Sequence, residues 1–235
     1  MSTSKLYLIP VDLGNKDLDY SIPKFNQSLI SDLDCFACEN LRSARRFLIN
    51  SGLPSPIPES IKFIEVRNDD STDALQECMQ ELSSGRSIGF LSEAGNPCIA
   101  DPGESLVQKC HNKGIQVVPL VGPSSILLAL IGSGLNAENF AFTGYIDQKN
   151  PNRTNQLKDL IRRAAKQTQI FMETPYRNNQ IFEEILKNSP DHLSLCVAVD
   201  LTTETEAIIC KSVADWKNSS APNIHKRPAI FAIGV

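Results

Sequence analysis

Short apolar runs closed by Gly, Pro or small polar residues recur through the first half of the chain. They alternate with stretches whose apolar residues fall three and four apart. The first pattern is that of strands buried in a parallel sheet, the second that of amphipathic helices. Strands are predicted over residues 6–9, 35–39, 61–66, 88–91 and 115–121, the last also read as a buried strand. Helices are predicted over 23–33, 42–50 and 72–83, the last with Ala74, Leu75, Cys78, Met79 and Leu82 at helical spacing. A further helix passes through Leu106 and Cys110 and ends at Gly114. Repeated βα units of this length imply a mostly parallel sheet.

The texture changes after Val121-Gly122-Pro123-Ser124-Ser125. Gly-Pro makes a bend, and a Ser then caps an apolar helix over 126–131, expected to stop at Gly132-Ser133-Gly134. Beyond it, 140–145, 169–172, 193–201, 206–210 and 229–235 read as strands. Only two long helices intervene, over 154–166 and 178–187. More strands with fewer crossovers imply a mixed sheet. The expectation is an α/β protein of two α/β domains, 1–121 with a mostly parallel sheet and 122–235 with a mixed one.

Composition narrows the function classes. The 235 residues carry a net charge of −4, which argues against a surface that binds nucleic acid everywhere while leaving room for a local basic patch. No apolar run approaches the ~20 residues of a membrane span. Residues 1–5 lead straight into a strand without a signal peptide's apolar core. Seven cysteines scattered through apolar segments suggest reduced thiols and a cytoplasmic protein. Cys35 and Cys38 have the Cys-x-x-Cys spacing, but a strand sends positions three apart to opposite faces, so they read as buried hydrophobes and no metal site is expected. His111, His192 and His225 stand isolated.

Candidate chemistry concentrates in Ser92-Glu93-Ala94-Gly95-Asn96-Pro97 and Ala100-Asp101-Pro102-Gly103, directly after the strand 88–91. In open α/β sheets, ligands bind at the carboxyl ends of strands. This loop offers backbone N–H groups and the carboxylates Glu93 and Asp101 but no Lys or Arg, so a neutral or cationic ligand suits it better than a phosphate. The chain has no G-x-G-x-x-G after its first strand, no P-loop and no G-x-S-x-G elbow.

The motifs, taken together and in order, resemble one family. Leu6-Tyr7-Leu8-Ile9-Pro10 with Gly14-Asn15 is similar to the opening of the ribosomal RNA 2′-O-methyltransferase branch of the tetrapyrrole (corrin/porphyrin) methylase superfamily. The loop 92–103 resembles that family's S-D-A-G-T-P…S-D-P-G, and Val117 to Ser125 its V-V-P-L-P-G-P-S-A. Ser133-Gly134-Leu135 follows where the family has it. Phe142-Thr143-Gly144-Tyr145 resembles F-x-G-F, Glu173-Thr174-Pro175-Tyr176-Arg177 resembles E-S-P-H-R, and Leu201-Thr202 with Glu206 echoes E-L-T…E.

The resemblance implies S-adenosylmethionine bound in a cleft between two α/β domains, and a homodimer. Its contacts would come from Ser92, Glu93, Ala94, Gly95, Asn96 and Pro97, from Gly122, Pro123, Ser124 and Ser125, and from Gly144 and Tyr145. For each Gly and Pro, simple turn-making is the alternative. A sulfonium is a cation, which agrees with the carboxylate-bearing loop. The substrate side departs from the family. E-D-T-R becomes Glu39-Asn40-Leu41-Arg42, R-E-L-T-K becomes Val199-Asp200-Leu201-Thr202-Thr203, and K-G-E becomes Lys226-Arg227-Pro228. The opening P-x-P-I-G-N has Asp12 for its second Pro, and a C-terminal helical extension is missing.

Three functions follow as alternatives. The first is methylation of ribosomal RNA or the small subunit, at the ribose 2′-O of a cytidine. The second is methylation of a small tetrapyrrole-like molecule, and the third a catalytically degenerate cofactor-binding protein. Asp101, Glu39 or Glu93 would orient or accept a hydroxyl proton. Asp101 ranks first for its place in the loop, with capping of the helix that begins at Glu104 as its structural alternative. Arg42, Arg153, Arg162, Lys166 and Arg177 would meet an RNA substrate, provided the basic helix 154–166 points them at it. A solvated helix face is the alternative.

Overall fold

The computed structural model describes residues 4–235; the expectation for the chain's start falls partly on residues 1–3, outside the described residues. The chain divides into two compact units, Met1–Ser124 and Ser125–Val235.

The first unit is built on β1 (Lys5–Ile9), β2 (Cys35–Cys38), β3 (Lys62–Glu65), β4 (Ile88–Leu91) and β5 (Gln116–Pro119). All pair in parallel, in the order β3-β2-β4-β1-β5. Between them run α1 (Lys24–Asp32), α2 (Leu41–Asn50), α3 (Thr72–Ser83) and α4 (Glu104–Asn112). Alternate strand residues feed two cores. Leu6, Cys35, Ala37, Ile88 and Phe90 pack with Cys78 and Leu82 of α3 and with Leu106 and Cys110 of α4. Ile9, Phe36, Cys38 and Leu91 pack with Ile30 of α1 and with Phe47 and Leu48 of α2. Cys35 and Cys38 thus lie on opposite faces, and burial pushes their thiols up to about 11 and about 12. β5 is not the buried strand expected. It is the sheet's edge, exposed at both ends, because no strand lies beyond it.

The neighbours β1 and β4 send their chains to helices on opposite faces, α1 and α4. Their carboxyl ends therefore part, which is the place such sheets leave for a ligand.

The second unit comprises β6 (Phe140–Tyr145), β7 (Thr168–Met172), β8 (Ser194–Val199), β9 (Ala207–Ser212) and β10 (Ala229–Gly234), in the order β6-β7-β10-β8-β9. Only β6 and β7 pair in parallel, so the sheet is mixed. α5 (Ser125–Ser133) covers one face through Ala129 and Leu130. α6 (Asn152–Ala164), α7 (Asn178–Asn188) and α8 (Val213–Lys217) cover the other. There Phe171 and Phe231 stack at 5.4 Å, and Trp216 Nε1 donates to Leu195 O at 2.8 Å. The helix expected over 126–131 ends at Ser133, within the stop expected at Gly132-Ser133-Gly134. A Cβ at Gly132 would lie 2.6 Å from Ile208 Cδ1, so this glycine serves close helix–sheet packing. α8 adds a third helix between the strands, too short at five residues to give a periodic signal.

Candidate active site

At the carboxyl edge of the first sheet, the loops after β1, β4 and β5 are tied together by backbone groups. Val11 N donates to Gly95 O at 2.8 Å and Gly95 N to Val11 O at 3.0 Å. Ser92 Oγ donates to Gly95 O at 2.8 Å, and Asn96 Nδ2 to Pro123 O at 3.0 Å. Gly95 has φ +71°, and a Cβ there would meet Leu13 Cδ2 at 3.3 Å and Pro123 O at 3.5 Å. Glycine is required by the left-handed backbone and the crossing loops. A Cβ at Gly122 would lie 2.2 Å from Cγ of the stiff Pro10 ring. Cys98 and Ala100 hold φ of +67° and +61°, strain that only a loop fixed by its surroundings keeps.

On this scaffold the three predicted carboxylates come together. Burial, then Glu39 and Glu93, push the Asp101 carboxyl up from its ordinary 3.8 to about 6. Burial and Glu93 likewise raise Glu39. The charged groups that perturb both residues are acidic, so the cluster repels itself. Glu93 is exposed and accepts a hydrogen bond from Ser43 Oγ. Among the described residues no group of three or more His, Cys, Asp or Glu is placed to hold a metal ion.

Asp101 does not cap α4. Asp69 does so from another loop, its Oδ1 accepting from Gly103 N and Ser105 N, both at 3.0 Å. Released from that role, Asp101 is half-buried beside two other acids. Asn40 in place of the family's Asp caps α2, accepting from Arg42 N at 2.9 Å and Ser43 N at 3.3 Å, as an Asp would. Arg42 is exposed on the first turn of α2, one turn from Glu39. Gly122, Ser124 and Ser125 are half-buried and Pro123 buried, with Ser125 the first residue of α5.

In the second unit, Gly144 (φ +71°) and the exposed Tyr145 close β6 after a register shift. The predicted cations do not gather beside them. Arg153 is only 4% exposed, its Nε donating to Glu184 Oε2 at 2.9 Å and its Nη1 lying 3.7 Å from Glu173 Oε2. It is an interior ion-pair partner, not a surface cation. Arg177 is half-buried and donates to Glu173 Oε1. Arg162 and Lys166 are exposed, but at the other end of the sheet. Asn139 Nδ2 donates to Lys166 O at 3.2 Å, and Asn139 immediately precedes β6. The length of β6 puts Tyr145 ~20 Å from there. Arg162, Arg163, Lys166 and Gln167 line an open hollow of about 310 Å³ at that far end. Arg162 and Arg163 both pair with Asp159.

Sequence reasoning missed Asp69, Ser43 and the hub role of Glu173. The run Asn68-Asp69-Asp70-Ser71 announces capping chemistry, but not for a helix more than thirty residues away. Ser43 carries no signal of its own. Glu173 had one, a lone acid directly after the apolar strand 169–172.

Comparison with known proteins agrees with this arrangement. The profile of the Tetrapyrrole (Corrin/Porphyrin) Methylases matches residues 5–215. Ribosomal RNA small subunit methyltransferase I of Vibrio cholerae is 30% identical over 203 residues, 86% of this chain and 67% of that protein. The protein of the same name from Pasteurella multocida is 27% identical over 233 residues, 98% and 79% of the two chains. Among solved structures, the methyltransferase CobJ superposes with a TM-score of 0.66 at 16% identity, covering 99% of this chain and 94% of that one. Uroporphyrin-III C-methyltransferase from Thermus thermophilus, complexed with S-adenosylhomocysteine, gives 0.57 at 16% identity, covering 98% and 97%. At such identities these structures speak for the fold.

Proposed function

The chain belongs to the tetrapyrrole (corrin/porphyrin) methylase family of S-adenosylmethionine-dependent methyltransferases, and from that premise we propose that it methylates ribosomal RNA of the small subunit, at the ribose 2′-O of a cytidine. The RNA acceptor is supported by relatives of that name matched along most of the chain. The observation that carries the hydroxyl acceptor is the cluster of Asp101, Glu39 and Glu93, where a carboxylate is held at about 6.

The donor set suits S-adenosylmethionine: carboxylates without a paired cation, beside loops rich in backbone N–H groups. When bound, it supplies a methyl group already activated on a sulfonium, so positioning is the chain's main task and is worth ~7–11 kcal/mol of barrier. The loops 92–97 and 122–124 would hold and orient the donor. Asp101 would take the proton that the acceptor hydroxyl gives up. Its raised affinity for a proton matches that task near neutral pH. Glu39 and Glu93 act through Asp101, keeping its proton affinity high. Arg42, exposed on the first turn of α2, would meet RNA.

We place the protein in the cytoplasm as a homodimer. The described cysteines are free thiols, and no helix among the described residues is long and apolar enough to cross a membrane. Leu127 and Ile131, one turn apart on α5, are 48% and 76% exposed and give a second copy apolar surface to cover. Light scattering is expected to return twice 25.9 kDa, and a mass of 25.9 kDa at tens of micromolar would refute the dimer.

The function is tested by incubating the protein with methyl-labelled S-adenosylmethionine and small ribosomal subunits, then locating the label by nuclease digestion and mass spectrometry. Label on a cytidine ribose supports the proposal. Label on a base, or none on RNA, overturns it.

A further inference from the structure

Tyr176 is 73% exposed, in a turn that the protein builds with unusual firmness. The turn follows β7, and Glu173, whose side chain is fully buried, holds both of its ends. Glu173 Oε1 accepts from Thr174 N at 2.7 Å and from the Arg177 guanidinium, while Arg153 approaches its other oxygen. Arg177 N closes the turn on Thr174 O at 2.9 Å. From the loop before β10, Lys226 N donates to Pro175 O at 3.0 Å, and Lys226 Nζ stands 5.7 Å from the Tyr176 ring centroid. Three non-glycine residues at this edge of the sheet hold left-handed backbone: Asp200 (φ +48°), Thr202 (+73°) and Lys226 (+60°). Strain of this kind persists where the surroundings over-determine a functional loop.

An exposed tyrosine fixed in place has little entropy left to lose on binding, and its ring is a stacking surface for any nucleobase. The exposed Lys226 ammonium lies over one face of that ring and suits the phosphate of the same nucleotide. We propose that Tyr176 is a nucleobase platform: it stacks an unpaired base of the RNA substrate, with Lys226 at the flanking phosphate, and the buried Arg153–Glu173–Arg177 group holds the turn that presents it. The proposal rests on the RNA reading above and gives that substrate a single-stranded segment. Arg153 and Arg177 are then positioning residues, serving RNA through Glu173.

The test measures fluorescence anisotropy of a labelled single-stranded RNA oligomer and of the same oligomer annealed to its complement. The proteins are wild type, Tyr176→Ala and Tyr176→Phe, with S-adenosylhomocysteine affinity and thermal unfolding recorded for each. Loss of one stacked base is expected to weaken single-strand binding roughly 5- to 100-fold in Tyr176→Ala. Tyr176→Phe is expected to bind as wild type does, and the duplex to show no difference among the three. Unchanged single-strand binding in Tyr176→Ala, with wild type binding RNA, overturns this inference and leaves the RNA reading standing. An equal loss in Tyr176→Phe overturns it too, because the ring would not be what binds. Wild type that takes S-adenosylhomocysteine but neither RNA removes the RNA reading and the platform with it.

Discussion

At the carboxyl edge of the first sheet, Glu39 and Glu93 raise the Asp101 carboxyl and Glu93 raises Glu39, with no cation of the described residues among the groups that shift them. At the corresponding edge of the second sheet, Glu173 is answered by Arg153 and Arg177, and Asp200 by Arg227 at 2.8 Å. Both edges crowd charge into half-buried loops, with opposite results. Asp101, unanswered, holds its proton more tightly than an ordinary aspartate and stands ready for chemistry, at a cost in stability. Answered carboxylates hold loops in place. The difference separates a candidate catalytic edge from a candidate presenting edge, and it is open to direct attack.

The largest effect is expected from Asp101→Asn, which removes the proton acceptor and keeps the shape. Methyl transfer should fall by ~10²–10⁴, measured in single turnovers with cofactor affinity followed by calorimetry. Full activity in that variant takes Asp101 off the proton's path. The second edge should respond in stability instead. Glu173→Ala leaves Arg153 and Arg177 facing each other in the interior, and urea unfolding should show a loss of ~3–5 kcal/mol. Asp101→Asn under the same conditions should lose nothing, because it relieves repulsion. If both variants destabilise alike, the contrast between the edges is wrong.

Gly95→Val comes next. A β-branched residue forced to φ +71° against Leu13 should cost ~1–3 kcal/mol and abolish binding of S-adenosylmethionine. The wild type is expected to bind it in the micromolar range, about −8 kcal/mol. Wild-type affinity in the variant would mean that the loop does not touch the cofactor.

The pH profile sharpens the comparison further. The folded Asp101 carboxyl is raised from 3.8 to about 6, so the native state holds its proton more tightly than the unfolded chain does. Stability from this group therefore falls as pH rises from about 4 to about 6 and is level above. Asp101→Asn should flatten that slope, and the rise in methylation rate through about 6 should vanish with it. An unchanged slope would place the carboxylate outside the cluster's influence.

The mildest change is reversal of charge at Arg162 and Lys166, which stand at the far end of the second sheet. It should leave methyl transfer and cofactor affinity as they are. The slope of log K for RNA against log salt should drop by no more than ~0.7–0.9 per residue. A collapse of RNA binding would return these cations to the substrate's path.

Period and punctuation carried most of the architecture. The apolar run 88–91 between Gly85 and a turn, and the helical spacing of 72–83, depend on neighbours in the chain and came out as β4 and α3. The loop 92–97 was legible for the same reason, since Gly95 and Gly122 declare a backbone demand that is local to their turns. Misreadings clustered where a residue's role lies with something distant. Asp101 looks like a cap until Asp69 arrives from another loop. Arg153 reads as a surface cation until Glu173 and Glu184 close on it in the interior.

The sequence by itself determined the βα alternation, the change to a mixed sheet near residue 122 and the chemical character of the loop 92–103. Each follows from hydrophobic period, turn residues and side-chain type, which act over a few residues. Only the tertiary structure decided which charges are answered. Electrostatic environment depends on separation and burial in space, and nothing in Glu39, Glu93 and Asp101 as a string says that they would meet.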